Sequence, residues 1–289
     1  MMLDIVYVTK IDHLYTLKLS IIKISALYDV NSIYIVTDKK KFKLFNFDFP
    51  ANIVLIDQNE VLPNMIKSDL DTLQLPFFPG RSGWYFQQLL KLGISNIKSL
   101  SENYVVIDAD TIFLKPITFI NEHNQFVFLK ATEYHKPYFE NYKLLLNEEP
   151  NREFSFISQY MVFNKTIVKM LCTDIEKQFN NSSTWNWLIM NNLKGESGSL
   201  FSEYETYGHY IKNHFPEKCV FVTMNWLREG SSYLNTTAPS LHDVNKFSEE
   251  YCLVSFELQS SGYLNKFKRF FFHKLYPYYN YFLNNKIKK

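Results

Sequence analysis

From Asp4 to Pro116, short apolar runs alternate with stripes of apolar residues at helical spacing, and this alternation constrains the fold more than any other feature. Residues 4–9 are one such run, and Leu14, Leu17, Ile21 and Ile24 then recur as one face of a helix. Residues 32–37 and 52–56 are two more β-branched runs. Runs without a polar face belong to parallel strands covered by helices on both sides. Residues 76–84 are punctuated as a loop and lead into a helical stretch to Ile94, with Phe86, Leu89 and Leu90 as its stripe. A fourth strand, Tyr104 to Ile107, runs straight into Asp108-Ala-Asp110. The order predicts an open α/β sheet whose ligand crevice lies at the carboxyl ends of its strands.

Composition agrees with a packed enzyme-sized domain. With 46% hydrophobic and 21% charged residues among 289, the chain can bury a large core, which excludes a disordered protein. Cys172, Cys219 and Cys252 form no CxxC pair, which excludes a disulfide scaffold or zinc cluster and fits a reducing compartment. The start lacks the basic segment and long apolar core of a signal peptide, and no window reaches the ~18 apolar residues of a membrane span. A cytoplasmic location is expected. Beyond Glu257 the chain holds seven of its 31 Lys and Arg residues and none of its 29 acids, interleaved with aromatics from Phe267 to Phe282. This tail, residues 263–289, suits an anionic membrane surface on the inner face of the membrane. A terminal helix docked on the core is the other reading. Nucleic acid is not expected, because the rest of the chain is acidic and has no basic groove pattern.

The second half reads less regularly. Residues 159–163 look like a strand, 167–179 and 184–193 like helices, and 195–199 like a flexible loop. Ser202 and Glu205 have the spacing of a capping box at the start of another helix, and residues 220–224 and 252–256 supply two late strands.

Two aspartates one residue apart after an apolar strand place hard oxygens where a sheet ends, separated only by a small alanine. Such oxygens suit Mg²⁺ or Mn²⁺, which complete their shells with diphosphate oxygens and water. A polar strand end followed by an ordinary turn is the bland alternative.

The string YVVIDADTIFLKP resembles the D-x-D segment of GT-A glycosyltransferases. PGRSGWYFQQLLKL, SQYMVFNKT and FSEYETYG resemble further blocks of a bacterial GT-A family associated with lipopolysaccharide and capsule assembly. The resemblance implies a GT-A-like (Rossmann-like) mixed sheet flanked by helices. Residues 1–116 would form the nucleotide-sugar-binding half, 117–262 the acceptor-binding half, and 263–289 the basic aromatic tail. It implies a nucleotide-sugar donor, UDP-linked, a Mn²⁺ or Mg²⁺ ion, and a glycan or lipid-linked acceptor.

Carried over residue by residue, Asp108 and Asp110 match the metal and donor aspartates, and Tyr7 and Thr9 match the nucleotide side. Asp38 either receives a uracil or ribose hydrogen bond or forms a turn. Gln88 and Lys91, three apart on one helical face, can reach the nucleotide or diphosphate, unless Lys91 is a solvated helix lysine. Arg81, one of four arginines, suits a diphosphate or pairs with a surface acid. Many GT-A enzymes add a late histidine to the metal, and His242 is the candidate, while His209 and His214 read as structural. An inverting transferase needs a carboxylate base, for which Glu203 is preferred over the capping Glu205; the alternatives are helix-terminus stabilisation and a retaining mechanism. Trp226, Arg228 and Tyr233 offer an acceptor platform. Two other classes remain open: a non-catalytic nucleotide- or sugar-binding module, and a haloacid-dehalogenase-like phosphatase, which the residues after Asp110 disfavour.

Overall fold

The computed structural model describes residues 3–45, 52–73 and 80–257. In chain order, β1 (Leu3–Val8) leads to α1 (Leu14–Leu27), β2 (Val30–Thr37), β3 (Ile53–Asp57), α2 (Lys67–Thr72) and α3 (Ser82–Gly93). Three strands follow: β4 (Asn103–Ile107), β5 (Thr111–Phe113) and β6 (Phe126–Leu129). The next segment holds α4 (Lys136–Leu146), β7 (Tyr160–Asn164), α5 (Lys165–Phe179), α6 (Trp185–Asn192) and α7 (Glu203–His214). It ends with β8 (Cys219–Val222), β9 (Trp226–Leu227), α8 (Gly230–Leu234), α9 (Leu241–Lys246) and β10 (Leu253–Ser255). The chain is α/β, as the alternation predicts, with mixed sheet and flanking helices.

The chain divides into two compact units. The first comprises the described residues within Met1–Leu55, Ile107–Ile117 and Met224–Lys289. Its strands β3, β2 and β1 lie side by side in that order, with β1 parallel to β2 and Tyr7 opposite Ile35. Both strands are buried almost throughout, which is why they carry no polar alternation. A second sheet has the order β5-β10-β9, with Ser255 opposite Thr111 across the antiparallel β5–β10 pair and β9 parallel to β10. Leu19 of α1 joins Ile112, Leu114, Val244, Phe247, Val254 and Phe256 in the core of this unit. Gly230 opens α8 where a Cβ would stand 2.5 Å from Val254 Cγ2 and 2.9 Å from the Ser255 carbonyl. A glycine there lets α8 lie directly on β10.

The second unit comprises Ile56–Val106 and Thr118–Thr223. β4 neighbours β7, and β6 runs parallel to β8 with Phe126 opposite Cys219. α5 is capped at its start by Asn164, whose side chain accepts from the Ile167 N–H at 3.0 Å, and at its end by Asn180 in the left-handed region. α7 packs against α3, α4 and α5 and is buried continuously from Glu203 to Ile211. An amphipathic helix would bury only a stripe, so the polar residues of α7 need internal partners.

Among the described residues no helix is long and apolar enough to cross a membrane. The basic aromatic tail and residues 76–79 of the predicted loop lie outside the described residues.

Candidate functional site

Asp108-Ala-Asp110, in the first unit, forms a tight turn between the end of β4 and β5. The Thr111 N–H donates to the Asp108 carbonyl at 2.9 Å, and the Asp110 carbonyl accepts from the Phe256 N–H at 2.8 Å. The Thr111 and Ser255 hydroxyls meet at 2.7 Å in the interior. The acidic turn is therefore pinned to β10, while both aspartates stay partly exposed and Ala109 is buried. Two carboxylates on a fixed turn fit a hard divalent cation that takes its other ligands from phosphate and water.

The expected third ligand does not join them. Among the described residues no group of three or more His, Cys, Asp or Glu side chains stands close enough to hold a metal ion, and His242 is exposed on α9. That helix turns Val244 inward, and His242 sits two residues before it on the solvent side.

The other sequence candidates of this unit separate. Tyr7 is fully buried, its hydroxyl 2.9 Å from Ser20 Oγ, and burial drives its phenol pKa far above the usual tyrosine range. It is a core residue joining β1 to α1, a correction to its nucleotide role. Thr9 is buried; its hydroxyl donates to the Lys10 carbonyl and its N–H to the Val36 carbonyl, so it continues the β1–β2 ladder just past Val8. Asp38 accepts from the Lys40 N–H at 3.0 Å, the turn-forming alternative.

In the second unit α3 and α7 bring together two residues that the sequence treats separately. Lys91 Nζ lies 2.7 Å from Glu203 Oε1, with side chains only 3% and 1% exposed. The Lys91 ammonium also stands 4.2 Å from the centre of the Tyr204 ring. Lys91 is thus not a solvated helix lysine. Glu203 does not project freely as a base: its carboxylate is buried and held against the Lys91 ammonium. Gln88 is buried one turn earlier on α3.

Glu205 also departs from expectation. Ser202 caps α7 by accepting from the Glu205 N–H at 3.3 Å, but the Glu205 carboxylate does not close the box. It accepts instead from Ser155 Oγ and from the Phe156 N–H at 3.2 Å, and lies 3.2 Å from His209 Nε2. His209 is fully buried among Phe139, Tyr142 and Phe156. Its structural reading holds.

Arg81 meets no acid in the contacts described. Its guanidinium lies 4.4 Å above the Trp84 ring, its Nε donates to the Gly198 carbonyl at 3.2 Å, and a terminal nitrogen donates to Ser199 Oγ. Tyr85 donates to the same Gly198 carbonyl and accepts from the Leu200 N–H, and His135 Nε2 lies 2.7 Å from the Ser199 carbonyl oxygen. Gly198 and Ser199, in the stretch 195–199 read as a flexible loop, and the adjoining Leu200 are fastened by three side chains far away in sequence. No local signal in the sequence announces this clamp.

The class defined by this architecture is an α/β protein with an acidic turn at a strand end. The chain belongs to DUF6492, a family of unknown function whose model matches residues 2–249. No curated protein sequence matches it. Similar solved structures include the galactosyltransferase LgtC in complex with donor and acceptor sugar analogs, at 9% identity and a TM-score of 0.49, covering 88% of this chain and 86% of that one. Mouse xyloside xylosyltransferase 1 in its apo form is 12% identical with a TM-score of 0.40, covering 88% and 97%. The bifunctional glycosyltransferase WbbM is 14% identical with a TM-score of 0.47, covering 89% and 46%. No activity passes to this chain from likenesses at these scores.

Proposed function

We propose that the chain is a glycosyltransferase that moves a sugar from a nucleotide-sugar donor, UDP-linked, to a glycan or lipid-linked acceptor in bacterial surface polysaccharide synthesis. The observation that carries this reading is the acidic turn itself: Asp108 and Asp110, partly exposed, on a backbone fixed to β10 at the carboxyl end of a buried strand. The GT-A-like sequence blocks around it supply the chemistry.

In this reading Asp108 and Asp110 hold Mn²⁺ or Mg²⁺. The ion would supply charge neutralisation for the departing diphosphate. The chain's own contribution is to fix the two carboxylates before the donor arrives, so that little reorganisation is needed on binding. Residues 1–116 serve the nucleotide sugar and 117–262 the acceptor. Glu203, paired with Lys91, is poorly suited to take a proton from an acceptor hydroxyl, which favours a transfer that needs no base from this position. The basic tail would hold the enzyme at an anionic membrane on its cytoplasmic side, near a lipid-linked acceptor.

Hydrolysis of a panel of UDP-sugars, followed with and without Mn²⁺, tests the reading. Metal-dependent release of UDP that disappears in Asp108→Ala and Asp110→Ala supports it. Release from no donor, with or without metal, would leave the non-catalytic binding module in its place.

A further inference from the structure

We infer that Arg228 and Glu257 form an electrostatic gate beside the acidic turn, with Glu257 as a resident counter-ion that the diphosphate of the donor displaces from Arg228. The inference rests on the transferase reading and extends it to residues outside the D-x-D segment. Arg228 Nε donates to Glu257 Oε1 at 2.6 Å, and the two side chains are 40% and 32% exposed. The pair is thus neither a dry structural bridge nor a fully solvated one.

Its position follows from two backbone links and one side-chain hydrogen bond within the first unit. Phe256, the residue before Glu257, donates its N–H to the Asp110 carbonyl. Glu229, the residue after Arg228, bridges to Phe256. The Ser231 hydroxyl donates to the Glu257 carbonyl at 2.8 Å, and Gly230 brings α8 against β10 too closely for any side chain. Both ends of the ion pair are therefore anchored to residues that also hold Asp110 in place.

Charge explains why a counter-ion belongs here. Asp108 and Asp110 stand on the turn that Phe256 holds, and Glu229 and Glu257 belong to the segments joined by the same links, so four acids accompany Arg228 along this stretch and disfavour a nucleoside diphosphate there. Once a divalent cation occupies the aspartates, Arg228 becomes the neighbouring cation able to accept a phosphate. Its planar fork can bind two phosphate oxygens as readily as two carboxylate oxygens. Glu257 competes for that fork and holds it in place until the donor arrives. Removing the arginine and removing its competitor must then act in opposite directions, which a merely structural salt bridge does not predict.

Binding of UDP in Mn²⁺ by calorimetry, with uridine as the phosphate-free control, decides the matter. Arg228→Gln should weaken UDP binding by about ten- to a hundredfold, the scale of one lost charged hydrogen-bonding group, and leave uridine binding unchanged. Arg228→Lys should fall between the two. Glu257→Gln should strengthen UDP binding several-fold. Thermal melting of each variant reports whether the fold survives. If wild-type protein binds UDP and Arg228→Gln binds it equally well, or Glu257→Gln binds it more weakly, the gate is overturned and the transferase reading stands. Wild-type protein that binds no UDP overturns both.

Discussion

Lys91 and Glu203 show what a sequence hides at the scale of single residues. Lysine and glutamate are almost never fully buried unless paired, and here they meet across 112 positions of chain. The signal for Lys91 was local: it stands within Leu89-Leu90-Lys91-Leu92, a stretch with no polar face to carry a solvated lysine. Nothing comparable marks Glu203, whose place in a first helical turn suits an exposed acid equally well. Breaking a buried pair from one side leaves an uncompensated charge, so Lys91→Met or Glu203→Gln alone should cost about 3–5 kcal/mol of stability. The double variant should recover much of that loss. Urea titration of the four proteins checks this, and additive losses in the double variant would mean the two groups do not act as a pair. If Glu203 were a base, Glu203→Gln would instead lower transfer by about two to four orders of magnitude with stability intact.

Among elements, those that the sequence revealed are the ones whose apolar pattern matches a regular strand or helix period. β1, β2, β3 and β4 are short apolar runs, and α1, α3 and α5 show a helical period, so local chemistry and final environment agree. β5 and β9, at three and two residues, are too short to have a period at all. α4 escapes for another reason: its buried Tyr138, Phe139, Tyr142, Leu145 and Leu146 make a good stripe, but it starts at Lys136 without a side-chain cap and has Pro137 in its first turn. The capping of α7 by Ser202 was legible, whereas the destination of Glu205 was not, because Ser155 and Phe156 lie on a distant segment. α7 also depends on Gly208, where a Cβ would stand 2.2–2.6 Å from atoms of the Phe156 ring. Gly208→Ala should therefore destabilise by about 1–3 kcal/mol through overpacking, even though alanine is the better helix former. Adding Phe156→Leu should restore part of the loss in the same denaturation measurement. A stabilised Gly208→Ala would show that α7 does not lie against Phe156.

At the scale of the whole molecule, the α/β class was readable from alternation, and the acidic turn from its place after a buried strand. The division into two units was not, because each unit is assembled from separated stretches of chain. The tail remains a sequence-level proposal. Each basic residue near an anionic surface contributes about 1 kcal/mol, so truncation after residue 262 should strip most binding to anionic vesicles, and added salt should weaken binding of the full chain. Co-sedimentation with vesicles, paired with thermal melting, separates this from core docking, for which truncation lowers the melting temperature and leaves vesicle binding unchanged.

The central claim is that the turn at the end of β4 holds the metal and donor, and Asp110→Asn addresses it most directly. The substitution keeps the side chain's size and leaves the backbone carbonyl that β10 holds untouched. Mn²⁺-dependent UDP release from the UDP-sugar that wild-type protein hydrolyses should fall by at least about a hundredfold, the range expected for loss of charge stabilisation at a leaving group, with the melting temperature unchanged. Release at the wild-type rate, still dependent on Mn²⁺, would contradict the account.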